Sequence, residues 1–585
     1  MPSSPPPLVY TPKLVPWGAL AAPHKLAQKI QNTADIAPLA GVLDAAIPRG
    51  SGWIVQKFGG TSVGKFPRTI ARDIVSAGLH NNRIAIVCSA RSTQTKSEGT
   101  TNRLLRAARE AESRGSATFV PIIDAIRDDH KACAKATIEN ADIVADLSAR
   151  IDEECDNLVK ILTSAQHLEE VSARVEDKIL SRGEKLSCLY MTALLNDNDV
   201  PAAFIDLANI LRPQSANGNS SHHQAPLDEA FYKSLAHTMA EEILRSTAPS
   251  SPEARPKVPV ITGYFGAIPG GLLNAVGRGY TDLCAALVAV GLEASELQIW
   301  KEVDGIFTAD PRKVPTARLL PSVTPAEAAE LTFYGSEVIH PFTMEQVIRA
   351  RIPIRIKNVM NPRNAGTIIF PDAQSLADAS FEPTTSDPRI FRTRSTAHLA
   401  TLPAMLAQRP KRPTAITVKH DIIILNVHSN KRTRAHGFLM NIYFVLDKWH
   451  LSVDLIASSE VHVSMALHSE HANLISSPPQ STPAASGWEE VNIANEDLYG
   501  AVSELQQFGT IDIVSNMAIV SLVGKQLKNM VGISGKFLST LGANNINIEM
   551  ISQGASEINV SCVIDARDAD RALNVVHTNL FTFLD

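Results

Sequence analysis

Trp53-Ile-Val-Gln-Lys-Phe-Gly-Gly-Thr-Ser62 is the stretch of sequence that decides the fold. A short apolar run leads into Lys57 and then directly into Gly59-Gly60, which predicts a buried strand that ends in a tight turn. The backbone N–H groups of such a turn can approach an anion closely, and Lys57 supplies positive charge, so phosphate binding is the natural use. The lysine precedes the glycines, which excludes a Walker A loop. Taken alone, the stretch is equally consistent with a plain tight turn.

From Ser51 to Asp372, short β-rich apolar runs alternate with helical segments, a pattern typical of an α/β domain in which helices cover a sheet. Helices are predicted at 102–114, 229–245 and 324–331, and Thr324-Pro325 with Glu327 has the spacing of a capping box. The predicted strands are 53–58, 83–89, 258–262, 296–302 and 354–358.

Two further clusters carry polar chemistry. In Gly277-Arg-Gly-Tyr-Thr-Asp282 an arginine lies between two glycines before a predicted helix, so Arg278 can bind a carboxylate bidentately near a favourable helix dipole. A dinucleotide-binding fingerprint is excluded because the third glycine is missing. Asp282 could also be an ordinary residue of a first helical turn. The segment 300–313 is a strand that ends in a charged loop, suited to a nucleotide or simply a surface turn.

Residues 413–585 contain two similar units, each a strand, a helix and a pair of strands. The first has strands at 416–425, 453–456 and 461–466 with a helix at 437–449. The second has strands at 517–523, 546–549 and 558–563, with helices at 532–541 and 569–578. Both end in an apolar-polar-Val-Ser phrase, so we interpret them as an internal duplication.

Composition limits the class of protein. The 585 residues exceed the roughly 250 to 300 at which one core stops growing, which predicts several domains. Charged residues make up 20% and the net charge is −5, so nothing favours nucleic acid. No apolar stretch is long enough for a membrane span, and no secretory signal is recognisable. Six scattered cysteines without a C-x-x-C pair indicate reduced core residues, and we expect a cytoplasmic protein.

The remaining segments are interpreted as irregular. Residues 1–50 are rich in Pro and Ala and predict a loosely ordered extension. Residues 213–257 predict an insertion that carries the helix at 229–245, with a surface loop as the preferred interpretation. Residues 373–412 predict a linker. Residues 471–487, rich in Ser, Pro and Ala, predict a flexible excursion within the first C-terminal unit.

The three clusters, in this order, resemble the aspartokinase branch of the amino-acid kinase family, and the full phrases 276–287 and 300–315 are most similar to its fungal monofunctional enzymes. Ser181-Arg-Gly-Glu184 and Tyr334-Gly-Ser-Glu-Val-Ile-His-Pro-Phe-Thr343 extend the likeness. The C-terminal units resemble ACT domains. The resemblance implies an αβα sandwich kinase domain at 51–372, followed by tandem βαββαβ ACT domains at 413–507 and 508–585.

The resemblance also implies a reaction, the Mg²⁺-ATP-dependent phosphorylation of L-aspartate to 4-phospho-L-aspartate. This is the first step toward threonine, methionine and isoleucine, and in some organisms lysine. Lys57 and Asp282 become the catalytic residues, with Asp282 organising Lys57 or the metal. Mg²⁺ is carried by ATP, with no side-chain ligands. The residues that match the nucleotide site are Lys57, Phe58, Gly59, Gly60, Lys301, Glu302, Phe307, Arg312 and Glu337, although bacterial relatives have a lysine where this chain has Glu337.

The residues that match the aspartate site are Ser89, Thr101, Glu184, Arg278, Gly279, Tyr280 and Thr281. Arg278 would hold the α-carboxylate, and Glu184 could pair with the α-ammonium group. The ACT units imply feedback inhibition by an amino acid, with threonine expected and lysine the alternative, and a homo-oligomer formed through those units. The expected effector contacts are Asp454, Glu460, Asn544, Asn545, Ile546 and Asn547.

Two alternatives remain open. The chain could be another kinase of the same family that acts on glutamate, N-acetylglutamate or a nucleotide, although the phrases at 278–282 and 300–315 favour aspartate. It could also be a non-catalytic sensor built on a decayed kinase fold. The presence of all four matching site residues opposes this alternative: Lys57, Glu184, Arg278 and Asp282.

Overall fold

The structure is a computed structural model. It describes residues 52–92, 98–211, 229–249, 255–266, 271–272, 279–334, 339, 341–370, 412–429, 437–459, 462–468, 475–476, 492–493, 495–525, 527, 530–554 and 558–582. The predictions for the N-terminal extension, nearly all of the linker and most of the excursion lie outside these residues. So do those for Arg278, Glu337 and Glu460.

The first sheet has eight strands in the order β3-β4-β2-β1-β5-β7-β8-β6, and its neighbours are parallel except for the β7–β8 pair. All five predicted strands of this region are confirmed. The strands are β1 Trp53–Phe58, β2 Arg83–Cys88, β3 Ala202–Ile205, β4 Val258–Thr262, β5 Glu296–Lys301, β6 Ser322–Val323, β7 Ile354–Asn358 and β8 Thr367–Ile369.

Helices cover both faces of this sheet. On β1 and β2, Val55 and Val87 enter one buried core, whereas Phe58 and Ile86 enter the other, because successive side chains of a strand point to opposite faces. The sandwich has three layers. The helices are α1 Gly60–Lys65, α2 Thr100–Glu112, α3 Phe119–Thr137, α4 Ala141–Leu168, α5 Ala173–Asp197, α6 Glu229–Thr247, α7 Tyr280–Gly291, α8 Pro325–Phe333 and α9 Pro341–Arg349. A short helix at Pro67–Thr69 continues as a π-helix, Ile70–Ser76.

The second sheet contains six strands in the order β10-β11-β9-β14-β16-β15. Its elements are β9 Ala415–Ser429, α10 Phe438–Lys448, β10 Val453–Ser458, β11 His462–His468, α11 Glu496–Leu505, β14 Gly509–Val523, α12 Ile533–Ala543, β15 Met550–Ser552, β16 Asn559–Asp565 and α13 Ala569–His577. A separate pair joins β12 Ile475–Ser476 to β13 Asn492–Ile493.

Both long strands of the second sheet, β9 and β14, serve two halves. Ile424–Ser429 pairs with Gly509–Val514, and Ala415–Ile422 pairs with Met517–Val523. The first half carries α10 and α11 over its core, and the second carries α12 and α13. The halves are therefore interleaved along the chain, and the predicted boundary between residues 507 and 508 stays a prediction.

The internal duplication is confirmed by backbone geometry. Asp421 and His450 have positive φ, and so do Asn516 and Asn545, each 95 positions further along. Gly437 and Gly532, at the same spacing, begin α10 and α12 with φ near +80°. Such φ values are rare outside glycine, asparagine and aspartate, so their recurrence marks two copies of one backbone path.

The predicted strand at 546–549 is wrong. The Ile546 N–H still donates to the carbonyl of Leu541, 3.1 Å away, and so closes the end of α12. Pairing with β16 starts only when the Glu549 N–H donates to the Val563 carbonyl, and β15 begins at Met550. Among the residues that the structure describes, no helix is long and apolar enough to cross a membrane.

Candidate active site

Four segments meet at the carboxyl edge of the first sheet. β1, β2, β4 and β5 are parallel neighbours or near neighbours in this sheet, so the residues that follow them emerge on one side. In open α/β sheets this edge is where ligands bind. The candidate residues lie on three of these segments and on three helices, α2, α5 and α7.

Lys57 and Asp282 form an ion pair at the centre of this edge. Lys57 Nζ lies 2.9 Å from Asp282 Oδ1, and the two side chains are only 11% and 15% exposed. Lys57 comes from the end of β1, and Asp282 from the first turn of α7, where a carboxylate is favoured by the helix dipole. The structure thus brings together the two residues to which the family resemblance assigns catalytic roles.

Glu184 lies beside them on α5 and is 1% exposed. Its Oε1 accepts a hydrogen bond of 2.6 Å from the Thr281 hydroxyl. Burial raises the pKa of Glu184 to about 7, against the neighbouring Thr281 and Tyr280 side chains and the charge of Lys57, which lower it. Its Oε2 is buried and has no hydrogen-bond partner among the described residues. A buried acceptor without a partner is costly, so this oxygen is available to a cationic or N–H group of a ligand.

The turn after β1 fits tightly against the segment after β2. A Cβ on Gly60 would lie 2.0 Å from the carbonyl oxygen of Ala90, and the Ser92 N–H donates to the Gly60 carbonyl at 2.9 Å. Ser89 is linked in turn to the end of β1, because its N–H donates to the Phe58 carbonyl. Glycine is required at position 60 because the two backbones approach so closely.

Thr101 lies in the first turn of α2, which is tied to the same segment. The Thr100 hydroxyl donates to the Arg91 carbonyl at 2.8 Å, and the Arg91 N–H donates to Ser187 of α5. The expected aspartate contacts Ser89, Thr101 and Glu184 therefore come from one bonded group of elements. The Arg278 position lies outside the described residues, while Gly279 precedes α7 and Tyr280 is buried in its first turn.

The sequence missed Ser62 as a site residue. Its hydroxyl donates to Glu302 Oε1 at 2.7 Å, and its side chain is fully buried in α1. This bond joins the turn after β1 to the end of β5, where Lys301 and Glu302 were expected at the nucleotide. Ser62 stood in the quoted motif, but no local pattern pairs it with a residue 240 positions away.

The residues predicted to contact the nucleotide differ in how exposed their side chains are. Phe58 is fully buried and stacks on Trp300 with ring centroids 6.0 Å apart, so its predicted ATP contact can involve only its backbone. Arg312 is 86% exposed and forms a bidentate pair with Asp310. Phe307 is half-buried and pairs with Leu319 across the loop.

The expected effector residues separate into two groups. Asp454 lines a cavity of about 260 Å³ between α10 and β10, together with Tyr443, Asp447 and Leu451. Asn544 donates to the Thr540 carbonyl and Ile546 is buried in the core of the second half, so neither side chain lines this cavity. Asn545 accepts at its carbonyl from Arg571, and Asn547 donates to Glu549.

Comparison with protein families gives two matches. Residues 52–358 match the amino acid kinase family, and residues 520–580 match an ACT domain. The chain is 49% identical to an aspartokinase of Candida albicans over 542 residues, which cover 93% of this chain and 92% of the relative. It is also 49% identical to an aspartokinase of Schizosaccharomyces pombe, over 90% of this chain and 93% of the relative.

Solved structures of aspartokinases align with most of this chain. Escherichia coli aspartokinase III in complex with aspartate and ADP, in the R-state, aligns with a TM-score of 0.62 at 25% identity, over 90% of this chain and 99% of that chain. The same enzyme in complex with lysine and aspartate, in the T-state, aligns with a TM-score of 0.61 at 26% identity over the same shares.

The close approach at Gly60 gives a direct test. Gly60→Ala should lower the melting temperature, because a Cβ cannot fit beside the Ala90 carbonyl and overpacking costs about 1–3 kcal/mol. Gly535→Ala is the matched control, since a Cβ there meets nothing within 4 Å and alanine favours the α12 helix. Thermal unfolding followed by circular dichroism compares them, and equal melting temperatures for both variants would contradict the close approach.

Proposed function

The chain belongs to the amino acid kinase family, as one of its fungal aspartokinases, and on that premise we propose that Lys57 and Asp282 form the centre of its active site. An aspartokinase transfers the γ-phosphoryl group of ATP to the side-chain carboxylate of L-aspartate. The observation that carries the proposal is the Lys57–Asp282 pair beside the unpartnered oxygen of Glu184.

Aspartate binds, in this proposal, with its α-ammonium group on Glu184 Oε2 and its α-carboxylate on Arg278. The free oxygen of Glu184 is buried, so a charged donor there forms a strong hydrogen bond. Thr281 holds the other oxygen and so fixes the orientation of the carboxylate. The side-chain carboxylate of aspartate then points toward Lys57.

No general base is required for this reaction. The attacking carboxylate of aspartate is ionised at pH 7, since the unperturbed pKa of an aspartate side chain is about 3.9. The obstacle is the approach of two anions, and catalysis consists of holding both in line and neutralising their charge. Lys57 lies between the two groups, and Asp282 fixes the direction of its ammonium group at 2.9 Å.

ATP binds, in this proposal, at the same carboxyl edge of the first sheet, on the side of Lys57 away from aspartate. We propose that backbone N–H groups of Gly59 and Gly60 hold its phosphates and that Lys301, Glu302, Phe307 and Arg312 line its nucleoside side. The hydrogen bond between Ser62 and Glu302 holds the phosphate turn after β1 and the nucleoside side after β5 in a fixed position relative to each other.

Mg²⁺ is proposed to arrive with ATP, where it would neutralise phosphate charge. The described residues contain no group of three His, Cys, Asp or Glu side chains arranged to hold a metal ion. Mg²⁺ bound to nucleotide phosphates needs only one or two protein carboxylates and keeps several waters. Asp282 and Glu302 are carboxylates at this edge that could orient the ion through its waters, without binding it directly.

The first test is Lys57→Met in a hydroxamate assay for the acyl phosphate, with aspartate, ATP and Mg²⁺. Loss of a preorganised charge is expected to lower kcat by at least about 10²-fold. Circular dichroism at 25 °C should show an unchanged fold, because methionine keeps the length and apolar stem of lysine, although the melting temperature should fall because Asp282 loses its partner. Near-normal turnover by the variant would remove Lys57 from the catalytic role, and no acyl phosphate from the wild type would remove the reaction itself.

Glu184 predicts a pH dependence of aspartate binding. Its pKa of about 7 means that the carboxylate takes up a proton as the pH falls from 8 to 6, and the protonated form no longer attracts an ammonium group. The KM for aspartate should therefore rise toward acid pH.

Glu184→Gln is the control for this dependence. The variant should have a raised KM for aspartate at pH 8, with little further change down to pH 6. If its KM followed the same pH course as the wild type, another group would be responsible.

Regulation is proposed to start in the cavity between α10 and β10. Asp454 of this cavity pairs with Lys419 at 2.7 Å, and the Lys419 ammonium lies 4.9 Å from the ring centroid of Phe333. Phe333 ends α8, just before the segment that contains Glu337. An amino acid that binds Asp454 or Lys419 would break this pair and so release the contact between Lys419 and Phe333. Its effect would pass through the end of α8 to the nucleotide side of the active site.

Of the two repeated sequence units, only the first carries this charged pair. At the positions 95 residues further along, the second unit has Val514 and Glu549, which cannot form an ion pair. The cavity is therefore proposed as the effector site, with threonine as the effector, which would place the enzyme under feedback control by the pathway to threonine and methionine.

Titration with threonine tests this proposal, with lysine as the parallel arm. Threonine should inhibit the wild type, and Asp454→Asn should raise the half-inhibitory concentration by about tenfold, which corresponds to 1.4 kcal/mol of lost binding. Glu549→Gln, at the equivalent position of the second half, should leave inhibition unchanged. Inhibition by lysine alone would change the effector, and insensitivity of the wild type to both would exclude the regulatory proposal.

A homo-oligomer through the ACT units is also proposed. On α10, four large apolar side chains lie along one face and are 42–69% exposed: Leu439, Met440, Tyr443 and Phe444. A contiguous apolar face of this kind is typical of an interface. Cytoplasmic location remains part of the same proposal.

A further inference from the structure

The loop between β5 and β6, residues 302–321, leaves the first sheet and enters the core of the second half. Ala309 and Val314 are 3% and 1% exposed and belong to the same buried cluster as Phe537 and Leu573. The Ile416 N–H of β9 donates to the Thr308 carbonyl at 2.9 Å. This loop carries Phe307 and Arg312, so part of the proposed nucleotide side is built into the core of the second half.

His577, the last residue of α13, lies at the base of this loop and is 1% exposed. Its Nε2 is 2.9 Å from the hydroxyl of Thr308, and its Nδ1 is 3.2 Å from the hydroxyl of Thr316. One imidazole therefore bridges the outgoing and returning strands of the loop with both ring nitrogens.

The neighbouring bonds indicate the direction of these hydrogen bonds. The Thr308 hydroxyl accepts from the Arg318 N–H at 2.9 Å, which leaves its own hydrogen for His577 Nε2. Nδ1–H then donates to Thr316. Burial and the charge of Arg318 lower the pKa of His577, which favours this neutral form.

Further contacts come from the same end of the chain. The ring of Phe581 stacks on His577 with centroids 4.9 Å apart, and its carbonyl accepts from Arg318 at 3.0 Å. Lys313 pairs with Asp570 at 2.7 Å, and its carbonyl accepts from Asn574. The position of the loop is therefore set by α13 and the residues that follow it.

We propose that His577 is a positioning residue of the ATP site, which holds the loop so that Phe307 and Arg312 meet the nucleotide. The inference rests on the proposed function, because that proposal assigns those two residues to ATP. His577 itself lies under the loop between two threonine hydroxyls, and it acts through the loop without touching ATP. The second half is then a structural part of the kinase site.

The experiment compares His577→Gln with the wild type as full-length protein. Glutamine can replace one of the two hydrogen bonds but cannot bridge both threonines, so the loop loses its fixed position. The KM for ATP should rise at least about fivefold, while kcat and the KM for aspartate change less than about twofold, the pattern of lost binding without lost chemistry. Isothermal titration with ADP measures the same loss without turnover.

Thr316→Val is the second variant, since it removes one bond and leaves the buried imidazole in place. It should raise the KM for ATP in the same direction by a smaller factor. His237→Gln, on the exposed surface of α6, is the matched control and should behave as the wild type.

The outcomes separate the two proposals. A wild type without aspartate-dependent ADP release would overturn the proposed function. An active wild type, with unchanged ATP KM and ADP affinity in both variants, would overturn the role of His577. A lower kcat, KM values for ATP and aspartate raised by the same factor, and a lower melting temperature would together show a purely structural role. That result would overturn the positioning role of His577 as well.

Discussion

The ion pair between Lys57 and Asp282 is the interaction on which the rest of the site depends. Both side chains are largely removed from water, and an isolated charge in such a place costs several kcal/mol. Each partner therefore requires the other. Lys57 is delivered by the central strand of the first sheet and Asp282 by the first turn of α7, so the pair forms only when sheet and helix are both in place. The charge of Lys57 also lowers the pKa of Glu184, which burial raises to about 7.

The sequence predicted the local part of this arrangement well. The five strands of the first domain, the helix at 229–245 and the capping box of Thr324 and Glu327 are all confirmed. These features depend on apolar periodicity, glycine and capping residues within about ten positions, which a sequence shows directly. The family of the chain was predicted for the same reason, because its motifs are short and contiguous.

The rest could not be predicted because it depends on partners far apart in the chain. The hydrogen bonds of Ser62 with Glu302 and of Thr308 with His577 join residues 240 and 269 positions apart. The interleaving of β9 and β14 is likewise a matter of register, which periodicity leaves open. Phe58 shows the converse limit, since its place in a binding motif did not reveal that its side chain belongs to the core.

Glu327 shows how the two sheets are mechanically joined. One of its oxygens accepts from Thr324 and caps α8, while the other accepts from Thr414 and from the Lys525 backbone of the second sheet. A residue with a local helix-capping role is thus also a junction between sheets. Shifting the second sheet would disturb the start of α8 through Glu327 and its end through the Thr417 hydroxyl, which donates to the Tyr334 carbonyl.

Two connections therefore run from the second sheet to the proposed nucleotide side, one through α8 and one through the β5–β6 loop. Both are packed and hydrogen-bonded against the second sheet. Coupling between two binding sites is reciprocal, and an effector that lowers ATP affinity must itself bind less tightly when ATP is present, by the same factor. α8 ends at Phe333, whose ring contacts the Lys419 that pairs with Asp454 of the cavity. An effector that binds this cavity more tightly in one position of α8 than in another would therefore shift α8. The loop would stay in place, because His577 holds it.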